Sequence, residues 1–257
     1  MKKDLFDLTG KTALVTGAGS GLGAAIAEGY AAYGAAVALV DLDLDAAWAV
    51  LARITSAGGR GLAIACNVAR EDQVDAAVTQ ALDGLGSIDI LANVAGISGR
   101  APAEEMTPEL WDRVIDVNLR GVYLFCVRVG REMIARGQGG RIINMASVAG
   151  VVGLTTGNLN YSAAKGGVIA MTRTLAVEWA QHNILVNSVA PTHFETPLIA
   201  HMLKTKPETR DYALSNIPLR RLGQPAEIVG PFVFLASAAS SMVTGHCLMV
   251  DGGHTAW

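Results

Sequence analysis

Short, uninterrupted apolar runs alternate along the chain with longer stretches whose apolar residues recur at helical spacing. The runs fall at 13–16, 36–40, 61–66, 88–93, 141–145, 185–189 and 247–250, and helix-like stretches between them include 71–82, 108–136 and 161–182. A run that is apolar without alternation predicts a strand covered on both faces, the environment of a parallel sheet. Strands alternating with helices predict right-handed crossovers, so the expected fold is α/β, a doubly wound parallel sheet with helices on both faces. Thr107 before Pro108 is a start signal, a capping hydroxyl ahead of proline at the first helical position. No long linker, composition break or internal repeat divides the chain, which predicts one domain over 1–257.

One segment breaks the rhythm. Between Pro191 and Pro225 the chain is mixed and polar and carries Pro197, Pro207 and Pro218. It follows a strand and so begins at the carboxyl edge of the sheet, where ligands bind in such folds. The expectation is a substrate lid at about 192–224, with a surface loop used in oligomer contacts as the alternative.

Composition narrows the partners. Of 257 residues 51% are hydrophobic, the formal net charge is -3, and no basic block is present, so nucleic acid is not an expected partner. Cys66, Cys126 and Cys247 have no CxxC or zinc spacing, and the five histidines form no ligand pattern, so no catalytic metal is expected. The most hydrophobic window, 24–40, is interrupted by Glu28, Gly29 and Gly34, which fits a helix followed by a strand rather than a membrane span. MKKDLFDLTGK lacks the apolar core of a signal peptide. These features predict a soluble, cytoplasmic protein.

The chemistry lies in three places. In TGAGSGLG, Gly17, Gly21 and Gly23 follow the run 13–16 and precede a helical stretch from Ala24. Glycines there permit a tight turn and let backbone N–H groups approach a pyrophosphate at the helix N-terminus. Asp41 ends the next run about 20 residues on, where a carboxylate accepts hydrogen bonds from adenosine ribose hydroxyls and repels a 2′-phosphate. Ser20, Leu42 and Asp43 supply no cation to offset it, which favours NAD over NADP. Tyr161 and Lys165 are four residues apart and share a helix face, so an ammonium neighbours a phenol whose ordinary pKa is about 10. A neighbouring cation favours the phenolate, and a tyrosine that exchanges a proton near neutrality suits hydride chemistry on an alcohol or carbonyl.

Six motifs in order resemble the short-chain dehydrogenase/reductase superfamily over nearly the whole chain: TGAGSGLG, NVAG, VNLRG with Asn118, NMASVAG with Ser147, YSAAK and VDGG. The resemblance implies a single Rossmann-like domain with a sheet of about seven strands, assembled as a homotetramer. It implies Tyr161 as general acid/base, Lys165 as the group that lowers the Tyr161 pKa and bonds the nicotinamide ribose, and Ser147 as a hydrogen-bond partner of the substrate oxygen. Asn118 is expected to hold a water that relays protons from Lys165. Cofactor contacts carry over to Gly17, Ser20, Gly21, Leu22, Gly23, Asp41 and Leu42. They extend to Asn67 and Val68 at the adenine, to Asn93, Ala95 and Gly96 at the adenosine ribose, and to Pro191, Thr192 and Thr196 over the nicotinamide. Two positions depart from the family pattern: Asn67 stands where Asp is frequent, and Thr192 where a glycine often follows the proline.

Substrate contacts are expected from the loop at 97–99, including Ser98, from the stretch 148–160, and from the lid. Asn158, Asn160, His193 and Glu195 make this neighbourhood polar, which suits a polyol, sugar or sugar acid. AVEWA, IPLRRLGQPAEI and SSMVTGHCLMVDGG are also similar to members that oxidise gluconate-type sugar acids and sugar alcohols. The rivals are a 3-oxoacyl carrier-protein reductase or other secondary alcohol/ketone reductase, and a catalytically silent NAD-binding sensor subunit. Asp41 weighs against the first, which usually takes NADPH, and the set Asn118, Ser147, Tyr161 and Lys165 against the last. Phe232, Phe234, Leu235, Met242, Leu248 and Met249 belong either to the core or to a subunit interface, and Trp257 is a candidate contact with a neighbouring subunit.

Overall fold

A computed structural model of the chain describes residues 4–155, 157–196 and 208–257. Seven strands, β1 (Thr12–Thr16), β2 (Ala36–Asp41), β3 (Arg60–Ala65), β4 (Ile90–Asn93), β5 (Gly140–Met145), β6 (Ile184–Pro191) and β7 (Cys247–Val250), form one sheet in the order β3-β2-β1-β4-β5-β6-β7. Every pairing is parallel. All seven predicted runs are strands, with shifts at their ends. Ile88 is buried ahead of β4 rather than within it, and β6 runs on to Pro191 because its last residues pair with β7.

Unalternating runs arise because both faces are covered. Ala13 and Val15 of β1 join one core cluster and Leu14 the other; Val37 and Leu39 of β2 face the first, Ala38 and Val40 the second. The first face is packed by α1 (Gly21–Ala32), α2 (Leu44–Ser56) and α8 (Val229–Ala236), through Ile26, Tyr30, Val50 and Phe232. The second is packed by α3 (Glu71–Leu85), α5 (Gly121–Arg136) and α6 (Leu159–Trp179), through Val74, Phe125, Val129 and Val168. A further helix, α7 (Glu208–Ser215), follows β6 in the chain. Phe232 and Leu235 are core residues and Phe234, Leu248 and Met249 pack against the core, whereas Met242 and Trp257 are 96% and 78% exposed.

The single helix expected over 108–136 is two helices, α4 (Pro108–Ile115) and α5, joined by a π-helical turn at Asp116–Arg120. The amide of Asn118 in that turn brackets the Ile97 peptide, accepting its N–H at 3.1 Å and donating to its carbonyl at 2.9 Å. The wide turn and the loop after β4 are therefore locked together. π-Turns of this kind recur at functional sites.

The strand order reverses between β2-β1 and β4-β5, and the crevice beyond those carboxyl ends is where such sheets bind ligands. The turn there is shaped by absent side chains. A Cβ on Gly23 would lie 1.9 Å from the Gly17 carbonyl oxygen, a contact no real side chain makes. Gly23→Ala is therefore expected to lose about 3 kcal/mol or more of stability in urea unfolding. Gly230→Ala, where a Cβ meets nothing within 4 Å, is expected to be neutral or stabilising by up to about 1 kcal/mol.

Candidate active site

A cavity of about 460 Å³ opens at the carboxyl ends of the central strands. At one end it is lined by Gly17, Ser20, Gly21, Leu22 and Gly23, by Asp41 and Leu42, and by Asn67 and Val68. Gly17 has φ 67°, and a Cβ there would lie 2.8 Å from the Ala95 Cα, so the bare backbone of β1's turn touches the loop after β4. Thr16 reinforces that contact: its hydroxyl oxygen accepts the N–H groups of Val94 and Ala95 at 3.0 and 3.2 Å. Ser20 is the N-cap of α1 but makes no side-chain cap bond. The first-turn N–H groups and the positive end of the helix dipole are thus left for an anion. Asp41 accepts the Gly19 N–H on Oδ2 at 2.8 Å and the Asp43 N–H on Oδ1 at 3.0 Å, which fixes the carboxylate at the cavity wall with further lone pairs free to accept. Bare glycine backbone, an uncapped helix start and an oriented carboxylate fit a dinucleotide.

Ala95 and Thr196 lie beside the glycine turn, and Gly96, Ser98, Ser147, Asn158, Tyr161, Lys165, Pro191, Thr192 and His193 complete the lining. Ser147 follows β5 and caps a 3₁₀ turn, its Oγ accepting the Ala149 N–H at 3.2 Å. Gly150 closes that turn onto α6, where a Cβ would lie 2.6 Å from the Lys165 carbonyl carbon. Ser147 is thereby held beside the Tyr161 phenol, near enough to favour its phenolate. Lys165 is 2% exposed, donates from Nζ to the Met145 carbonyl at 2.7 Å, and sits 5.6 Å from the Tyr161 ring centroid.

The electrostatics differ from the simple expectation of an ammonium lowering its neighbour's pKa. Burial pushes the Tyr161 phenol up, and the opposing influences are the Ser147 hydrogen bond and the charge of Arg100. Lys165 is itself pushed down to about 8 by burial. Arg100 lines the same cavity and was not anticipated; its signal was a lone cation in ISGRAP, two residues after Ser98. Burial lowers its pKa and Tyr161 raises it. His193 is pushed down to about 4 by burial, with Arg100 and His254 adding to the effect, so its imidazole is neutral at pH 7.

Four expected site residues sit elsewhere. The Asn93 side chain turns away from the cavity into a buried ladder, donating to Asn144 Oδ1 at 2.9 Å and to Cys126 Sγ at 3.3 Å, because the last residue of β4 faces the α5–α6 layer. Asn118 is fully buried, and its amide is taken up by the Ile97 peptide and the Val114 carbonyl rather than lining the cavity. Glu195 is exposed, since its N–H and the His193 carbonyl both pair with Gly223 and turn its side chain outward. Asn160 is also structural, accepting the Tyr161 N–H at 2.7 Å. Of the expected lid, 197–207 lies outside the described residues, Pro197 and Pro207 included. Among the described residues no group of acidic, histidine or cysteine side chains is placed to hold a metal, and no helix is long and apolar enough to cross a membrane.

A parallel sheet with a glycine turn, an acidic second strand and a Ser–Tyr–Lys cluster at its carboxyl edge defines a nucleotide-dependent oxidoreductase. The family model described as enoyl-(acyl carrier protein) reductase matches residues 17–255. A D-threitol dehydrogenase of Mycolicibacterium smegmatis is 43% identical over 251 residues, 97% of this chain and 95% of that protein. A 3-oxoacyl-[acyl-carrier-protein] reductase of Synechocystis is 42% identical over 248 residues, 96% of this chain and 97% of that one. The crystal structure of a gluconate 5-dehydrogenase from Burkholderia cenocepacia, in complex with NADP and tartrate, superposes with a TM-score of 0.93 at 38% identity, covering 99% of this chain and 98% of that one. The chain belongs to the short-chain dehydrogenase/reductase family. It is an oxidoreductase of CH–OH groups that works with a nicotinamide cofactor.

Burial of Lys165 has a consequence for stability. Its folded pKa, about 8, lies below its ordinary 10.5, so folding disfavours the charged form. The penalty is fully present below pH 8 and fades as pH rises to 10.5, where the unfolded chain also gives up the proton. Lys165→Met, which removes it, is expected to match or exceed the parent in urea unfolding at neutral pH. Its advantage should shrink across that window, and a constant difference would contradict a buried, depressed ammonium.

Proposed function

We propose that the protein is an NAD-dependent dehydrogenase of a small polyhydroxylated substrate, a polyol, sugar or sugar acid. The observation that carries this reading is the polar wall around Tyr161: Ser98, Arg100, Asn158 and His193 line one cavity with Ser147 and Lys165. An apolar substrate gives Ser98, Arg100 and His193 nothing to bond, whereas a chain of hydroxyls pairs with several polar groups at once. Relatives named for threitol and gluconate oxidation point the same way.

A bound nicotinamide nucleotide would supply the hydride exchange with the carbinol carbon. Tyr161 takes the hydroxyl proton during oxidation and gives it back during reduction. Ser147, beside that phenol, holds the substrate oxygen as charge develops on it. Lys165 reaches past Tyr161 to the Met145 carbonyl and supplies donors for the nicotinamide ribose. Asn118 contributes by holding the Ile97 peptide, and with it the wall formed by Gly96. Arg100 favours the phenolate and offers a cation to a substrate carboxylate. For the cofactor, the oriented Asp41 carboxylate accepts from ribose hydroxyls and repels a 2′-phosphate. The segment from Thr192 to about 224 serves as the substrate lid. The assembly is a homotetramer, in keeping with exposed apolar residues on α5 and α6, Tyr123, Leu159 and Val177.

Initial rates of NADH formation over polyols, sugars, sugar acids, simple secondary alcohols and a 3-hydroxyacyl thioester, with NADP controls, test the reading. Preference for a polyhydroxylated substrate with NAD is expected, and activity confined to the thioester with NADP would replace it with the carrier-protein reductase. Tyr161→Phe should lower turnover about 100-fold or more while NADH still binds, and Asp41→Ala should shift preference toward NADP. Arg100→Ala should raise KM at least about tenfold for sugar acids and leave polyols little changed.

A further inference from the structure

His254 has no role assigned above, yet it reaches the site. The Thr192 hydroxyl lies 2.9 Å from its Nδ1, and the imidazole is 8% exposed. A built turn carries it there. After β7, Asp251 Oδ1 accepts the Gly253 N–H at 3.0 Å, and Oδ2 accepts the Thr255 N–H and hydroxyl at 2.8 and 2.7 Å. Gly252 and Gly253, at φ 60° and 91°, supply the left-handed conformation that brings His254 back over the end of β6. The Thr192 N–H reaches the Val250 carbonyl at 3.4 Å, so the turn extends the β6–β7 pairing to this point.

Thr192 stands where the family often has glycine. A β-branched side chain at a cavity wall has three staggered rotamers, which present either the methyl or the hydroxyl to a ligand. A single directional hydrogen bond selects among them. On the far side, Gly223 donates to the His193 carbonyl at 3.0 Å and accepts from the Glu195 N–H at 2.8 Å. The strip from Pro191 to Glu195 is thus pinned from both flanks, and at Thr192 the pin is a side chain from the C-terminal turn.

We propose that His254 is a positioning residue for the nicotinamide end of the cavity, acting through the Thr192 hydroxyl to hold one rotamer of Thr192 and the Pro191–His193 strip that borders the nicotinamide. This rests on the dehydrogenase reading, since it presupposes a nicotinamide nucleotide there. His254 touches no reacting atom, so its effect belongs to the nicotinamide half of the cofactor and not to the adenosine half.

The test titrates NADH by fluorescence and ADP-ribose by calorimetry against the parent, His254→Ala, His254→Asn, Thr192→Ala and the His254→Ala/Thr192→Ala pair, with thermal midpoints recorded without nucleotide. His254→Ala is expected to weaken NADH about fivefold, the worth of one hydrogen bond, and to leave ADP-ribose unchanged. His254→Asn, whose amide reaches the place of Nδ1, should restore NADH affinity. In the Thr192→Ala background His254→Ala should add nothing. Unchanged NADH binding, equal loss of both ligands, or an undiminished effect in the Thr192→Ala background would each overturn the proposal. A parent that binds neither nucleotide would overturn the dehydrogenase reading itself, a result distinct from all of these.

Discussion

The hydrogen bond from the buried Lys165 ammonium to the Met145 carbonyl is the interaction around which the site is arranged. A cation in the interior is expensive unless it is hydrogen-bonded, and one carbonyl leaves two of its three donors for other partners. That bond draws α6 onto the end of β5, where Gly150 allows the backbones to touch, and it leaves Tyr161 one turn earlier on the same helix facing Ser147. Position, burial and spare donors come from one contact. In the proposed mechanism, the stability given up by burying Lys165 is retained because the reaction uses an ammonium there.

Glycine plays the complementary part at the other end of the cavity. The β1 turn is tight because the Gly23 Cα packs on the Gly17 carbonyl and Gly17 packs on Ala95. Asp41 then ties the turn to β2 through the Gly19 N–H. The carboxylate therefore shapes the loop as well as presenting oxygens to the cavity, so its two functions are mechanically linked. Thr16, accepting two N–H groups from the loop after β4, extends the same clamp across the topological switch point.

Charge at the substrate end is set by residues from different loops. Arg100 comes from the loop after β4, His193 from the end of β6 and His254 from the turn after β7; Arg100 acts on both Tyr161 and His193, and His254 acts on His193. The neutral His193 lies in the same cavity wall as the cationic Arg100 and the Lys165 ammonium, so the pocket is electropositive and offers hydrogen-bond donors.

The local pattern alone determined the strands, because residues buried on both faces must be apolar at every position and that leaves an unambiguous mark. It also determined the glycine turn, the acidic strand end and the Tyr–Lys helix face, since each depends on short-range spacing that a reader can count. What the tertiary structure decided is where side chains point once strands and loops from distant parts of the chain meet. Asn93 ends a correctly expected strand, yet the sheet's pleat sends its amide to Asn144, 51 residues away. Asn118 sits in a helix-like stretch, but it lies in a π-turn, its amide bound to the Ile97 peptide and the Val114 carbonyl. Arg100 and His254 carry no motif; the first matters because the loop after β4 folds over Tyr161, and the second because a turn at the C-terminal end closes on Thr192. Periodicity and spacing are properties of neighbours in the chain, whereas burial, desolvation and the choice of hydrogen-bond partner belong to neighbours in space.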